Sequence, residues 1–99
     1  MLNITKTVEN GTASFALEGR LDTVTAPELE QALKETLEGL RLLTLDFAGL
    51  EYISSAGLRV LLSAQKQMNR QGEMKLIHVG EAIMEISEVT GFNEILTIE

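Results

Sequence analysis

Asn10-Gly11 stands between two alternating arms, and from there onward helical and extended patterns take turns along the chain. Both residues of this dipeptide accept φ > 0, as a two-residue hairpin turn requires, so residues 2–8 and 12–18 are expected to pair as antiparallel strands. In the second arm Ala13, Phe15 and Leu17 alternate with Ser14, Ala16 and Glu18, which gives the strand one apolar face. Gly19-Arg20-Leu21-Asp22 is expected to leave the sheet. Thr25-Ala26-Pro27-Glu28 then has the spacing of a capping box, with Pro27 in the first turn where its missing donor costs little. Leu29, Leu33, Leu37 and Leu40, with Ala32, make a helical apolar stripe that Gly39 should end.

Residues 42–47 form a short, nearly continuous apolar run, the pattern of a central strand covered on both faces. A second helix is expected from Ala56 to about Gln71, a strand over 74–79, a third helix over 81–89 stopped at Thr90-Gly91, and a last short strand over 95–98. The order β-β-α-β-α-β-α-β predicts an α/β fold. Its sheet is mixed and mostly parallel, with an opening hairpin and crossover helices. At 99 residues, with 44% hydrophobic and 23% charged, the chain suits a single domain spanning 1–99.

The residue inventory argues against most chemistries. There is no cysteine, so disulfide frameworks, zinc knuckles and thiol nucleophiles are excluded and an intracellular, cytoplasmic setting is the default expectation. No apolar run approaches the roughly 18 residues of a membrane span, and the opening MLNITKT lacks a leader pattern. Eight basic against 15 acidic residues, net −7, with no Lys/Arg cluster, makes nucleic-acid or anionic-membrane binding unexpected. The single histidine, His78, falls in a predicted strand, where a satisfied, partly buried role is expected. No His pair has metal-ligand spacing, and no glycine run has the spacing of a phosphate cradle, so neither metal nor cofactor is expected. Asp22 and Asp46 could act as paired carboxylates, but each is also a routine turn residue.

The unusual place is Ser54-Ser55-Ala56-Gly57-Leu58, two hydroxyls at a strand-to-helix junction where helix N–H groups are unpaired and the dipole end is positive. One serine can serve as N-cap. The other can carry a phosphate, whose roughly −1.5 to −2 charges a helix start tolerates. Gly57 in the first turn lowers helix propensity by roughly 1 kcal/mol relative to Ala, which suggests close approach of a strand or a partner. Farther along, Arg59, Ser63, Lys66 and Arg70 share one polar helix face.

With these residues in view the whole chain resembles a STAS domain of the bacterial anti-sigma factor antagonist family. The resemblance rests on Gly19-Arg20-Leu21-Asp22, Leu45-Asp46-Phe47, the Tyr52-to-Leu58 motif and Thr90-Gly91-Phe92. It implies that Ser55 is the serine phosphorylated by an anti-sigma factor that is itself a serine kinase, with Ser54 as second choice. Ser54 stands where many members have Asp, and Arg20 where an acidic residue is frequent. The resemblance further implies partner switching. The unphosphorylated protein binds the anti-sigma factor and frees a sigma factor, phosphorylation weakens that complex, and a PP2C-type phosphatase restores it. The implied contact surface comprises Asp22, Thr23, Thr25, Ser54, Ser55, Gly57, Arg59, Ser63 and Lys66, on a protein expected to be a monomer and not an enzyme. Two rivals are a non-switching STAS subunit of a lipid-transport or sensory complex, and a small hydrolase using Asp22, Asp46 and Ser55.

Overall fold

The computed structural model describes residues 2–99, except the side chain of Asn93. Strands β1 (Leu2–Glu9) and β2 (Thr12–Leu21) form the opening hairpin, with Glu9 opposite Thr12. Between them Asn10 and Gly11 have φ of 47° and 81°, the paired positive values that the turn demands. Helix α1 (Ala26–Thr36), β3 (Leu42–Ile53), α2 (Ser55–Met68), β4 (Glu73–Ile77) and α3 (Glu81–Thr90) follow, and a short 3-10 helix (Phe92–Glu94) comes last. The sheet order is β1-β2-β3-β4; the first pairing is antiparallel and the other two parallel. This is the expected mixed, mostly parallel α/β architecture.

One face of the sheet carries the core. Phe15 and Leu17 from β2, Leu43, Leu45 and Phe47 from β3, and Met74 and Leu76 from β4 are all buried, beneath Leu29 and Leu33 of α1 and Leu58, Leu61 and Met68 of α2. The alternate residues of β3, Leu42, Thr44 and Asp46, are only half-buried, so the central strand is covered fully on one face rather than both.

Several local expectations are corrected. β2 does not end before Gly19 but continues to Leu21, and β3 runs to Ile53 instead of stopping at Phe47. The pair stays together because β3 absorbs extra residues. Ala16 faces Asp46 and Glu18 faces Gly49, then Gly19 faces Leu50 and Arg20 faces Tyr52. Each shift is a bulge that re-aims the strand end. The predicted strand over 95–98 reduces to one bridge, Leu76 with Ile98, because the backbone first turns through the 3-10 helix. β4 ends at Ile77, and His78 is not a buried strand residue: it has a φ of 55°, and its side chain is 64% exposed.

Candidate functional site

β2 and β3 are parallel neighbours, so their C-terminal ends open at the same pole of the sheet, the usual place for function in such folds. Leu21 stands opposite Ile53, and the Ser54 N–H donates to the Leu21 carbonyl at 2.9 Å. The loop of residues 22–25 and the junction Ser54-Ser55 therefore lie side by side.

The loop is held by a knot of short bonds. Asp22 Oδ1 accepts from the N–H groups of Val24 and Thr25, each at 3.0 Å. The Thr25 hydroxyl accepts from the Asp22 N–H and donates to the Arg20 carbonyl, both at 2.8 Å. The Thr25 N–H, helped by its hydroxyl and the Val24 N–H, holds the Asp22 carboxyl below its ordinary value against the opposing effect of partial burial. This corrects the capping-box expectation: the Thr25 side chain caps no α1 amide, and the Glu28 N–H bonds the Thr25 carbonyl instead. Thr25 is buried and so shapes the loop from within, while Thr23 is exposed and Val24 is 81% exposed at the tip.

The two serines divide their work. Ser54 is the N-cap of α2, extended at φ −101°, and its Oγ accepts from the Gly57 N–H at 3.4 Å. Ser55 is the first helical residue and is exposed. Among the described residues no hydrogen bond engages its hydroxyl. Gly57 is buried, which removes it from any contact surface. A Cβ there would come within 2.7 Å of Leu21 Cγ and 3.0 Å of Ile53 Cγ1, so it is the strand ends that approach this turn. Arg59, Ser63 and Lys66 are exposed along α2, which stops at Met68 and not near Gln71, so Arg70 is exposed just past its end.

Arg20 and Tyr52 were not among the residues singled out for contact. The Arg20 guanidinium lies 4.3 Å from the centre of the Tyr52 ring, and its Nε is 3.9 Å from Asp22 Oδ2. The clue lay in the sequence, since a parallel pairing of β2 with β3 brings the two motifs together in register.

Asp46 does not join this pole. It stands opposite Ala16, whereas Asp22 follows Leu21, a separation of about 20 Å at the usual strand rise. Its Oδ1 accepts from the Ala48 N–H at 2.9 Å across the bulge and meets His78 Nδ1 at 2.9 Å. The Ala48 N–H first, then His78, hold this carboxyl below its ordinary value. The hydrolase constellation of Asp22, Asp46 and Ser55 is thus not assembled. No helix among the described residues is long and apolar enough to cross a membrane.

The family model for the STAS domain matches residues 3–99, and the chain belongs to that family. It is 36% identical over 91 residues to BtrV of Bordetella bronchiseptica, named as a candidate anti-sigma factor antagonist, covering 90% of this chain and 78% of that one. It is 32% identical over 84 residues to the anti-sigma-B factor antagonist of Listeria monocytogenes, covering 82% and 73% of the two chains. A crystal structure of an anti-sigma factor antagonist from Mycobacterium paratuberculosis shares the fold with a TM-score of 0.88 at 22% identity, over 99% of this chain and 85% of that one.

Proposed function

We propose that this chain is an anti-sigma factor antagonist that switches partners through phosphorylation of Ser55. The observation that carries the reading is the division of labour at the junction, where the Ser54 hydroxyl faces inward as a cap and the Ser55 hydroxyl faces solvent. Relatives named as antagonists support the general role. In this cycle the unphosphorylated chain binds a cytoplasmic anti-sigma factor and so releases a sigma factor. The anti-sigma factor, acting as kinase, transfers the γ-phosphoryl group of ATP. The Ser55 oxygen bonds to phosphorus, the bond to the bridging oxygen breaks, ADP departs, and a base of the kinase takes the hydroxyl proton. A PP2C-type phosphatase reverses the modification with water as nucleophile and inorganic phosphate as product.

The chain itself acts as ligand and substrate. Its contact surface comprises Asp22, Thr23 and Val24, the serine junction, and the exposed face of α2 through Arg59, Ser63 and Lys66. A stable complex of this kind buries roughly 1,200–2,000 Å² in total. A phosphate at a helix start is favourable to the fold by about 0.3–2 kcal/mol, so the modification blocks an interface without unfolding the domain.

The test pairs the chain with an anti-sigma factor of the serine-kinase type, in the presence of ATP, and locates the modified residue by mass. Ser55→Ala should bind the kinase and resist labelling, Ser54→Ala should still be labelled, and Ser55→Asp should bind at least about tenfold more weakly, a loss of about 1.4 kcal/mol. Labelling lost in Ser54→Ala and kept in Ser55→Ala would reassign the residue. Recovery of transporter subunits with no labelling at all would return the non-switching role.

A further inference from the structure

In a chain with 15 acidic residues, α2 has none in its 14 positions. The other two helices carry Glu28 and Glu81 in their first turns, where a carboxylate offsets the positive end of the dipole, but α2 leaves that end uncompensated. Its exposed face carries only cations and neutral polar groups: Ser55, Arg59, Ser63, Lys66 and, just past the end, Arg70. Arg59 follows Ser55 at the i, i+4 spacing, so the two are surface neighbours one turn apart. A helical side chain leans toward the N-terminus, so the Arg59 side chain can reach back toward Ser55. Among the described residues Arg59 belongs to no ion pair, whereas Arg20 is already engaged by Asp22.

We propose that Arg59 is the receptor for the phosphate on Ser55, and that its capture withdraws the foremost cation of a basic docking face that fits an acidic protein surface. The inference rests on the reading of Ser55 as the modified residue and adds how the modification is read. Before phosphorylation Arg59, Lys66 and Arg70 form a local inversion of sign on a molecule of net charge −7, so a partner drawn to this face carries carboxylates there. After phosphorylation the dianion takes Arg59 through charge-assisted bonds and faces the same carboxylates with like charge. The fold stays as it was. The charge of the face changes sign at its leading end.

Phosphoserine placed at position 55 by genetic encoding tests the capture without any kinase. A phosphorus NMR titration should give the second phosphate ionisation a midpoint at least about half a unit lower in the parent chain than in Arg59→Gln, with Arg59→Lys between them; the free value is about 6. Equal midpoints overturn the capture. For the docking face, a synthetic Glu-rich peptide at low salt should shift the amides of residues 59–70 in the unphosphorylated chain, and should bind at least about tenfold more weakly once Ser55 carries phosphate. Shifts elsewhere, no shifts, or unchanged binding after phosphorylation overturn it. Oligomers of the unphosphorylated chain that dissociate in Arg59→Gln would give the face to a second copy and overturn the acidic partner. Failure of a kinase to label Ser55 would sink the switch and leave these titrations to stand separately.

Discussion

Asp22 gathers two backbone N–H groups on one carboxylate oxygen, and that arrangement keeps the loop beside Ser55 in shape. Its carboxyl is held below the ordinary value, chiefly by the Thr25 N–H, so the unfolded chain takes up the proton first as pH falls. The contribution is therefore complete above about pH 4, the ordinary aspartate range, and is lost as pH drops through the lower folded value. The amide signals of Val24 and Thr25 should titrate together with a midpoint below that range, and Asp22→Asn should abolish the step. A midpoint at or above pH 4 would contradict the geometry. Gly57 gives a second residue-scale prediction, because two effects oppose each other there. Alanine gains about 1 kcal/mol of helix propensity, but its Cβ would meet Leu21 and Ile53, which are 0% and 1% exposed. Overpacking of a closed core costs about 1–3 kcal/mol. The second effect wins because Leu21 Cγ is a branch point with no room to swing. Gly57→Ala should thus lower the urea midpoint by the equivalent of about 1 kcal/mol at unchanged slope.

At the scale of elements, what could be read in advance was whatever depends on neighbours in sequence. The Asn10-Gly11 turn, Leu29 and Leu33 of α1, the apolar side of α2 and the left-handed Gly91 that closes α3 are all local and stand where the pattern put them, whereas α1 stops at Thr36, so Leu37 and Leu40 are buried beyond the helix instead of on it. What escaped depends on partners distant in sequence. β3 continues past Phe47 because bulges at Phe47-Ala48 and at Glu51 take up one extra residue each without breaking the pairing to β2, and no periodicity announces a bulge. Thr25 has capping-box spacing, yet its hydroxyl is claimed by the Arg20 carbonyl and the Asp22 N–H, a competition that only the folded turn creates. His78 looked like a strand residue, but the chain turns there at positive φ, and its ring finds Asp46 on the neighbouring strand. The serine junction was legible as a place because a strand-to-helix boundary is a sequence signal. Which serine faces solvent was not, since that depends on where α2 begins to turn.

On the scale of the whole molecule, 33 Å in its longest dimension, the two ends of the parallel strands have different tasks. The end where β2 and β3 finish bears the exposed serine and its loop; the end where three strands begin is tied through one residue. The Arg41 N–H donates to the Gly11 carbonyl and the Arg41 carbonyl accepts from the Glu73 N–H, both at 2.8 Å, so the starts of β2, β3 and β4 share this residue. Gly72 packs directly on it: a Cβ at Gly72 would sit 2.0 Å from the Arg41 carbonyl oxygen and 2.6 Å from its carbon. Backbone atoms already committed to two strand contacts cannot step aside, so an alanine must part β4 from β3. Gly72→Ala should cost about 3 kcal/mol, at the upper end of overpacking penalties, from a total of about 5–15 kcal/mol for a domain of this size. That corresponds to a fall in Tm of about 12–24 °C. Because the damage lies at the strand starts, the fraction still folded well below the new Tm should present Ser55 to a kinase at the parent rate. Calorimetry beside a labelling assay at low temperature measures both quantities. A Tm change under about 2 °C would mean that the contact at Arg41 relaxes freely; normal Tm with lost labelling would mean that the two ends are coupled through the sheet.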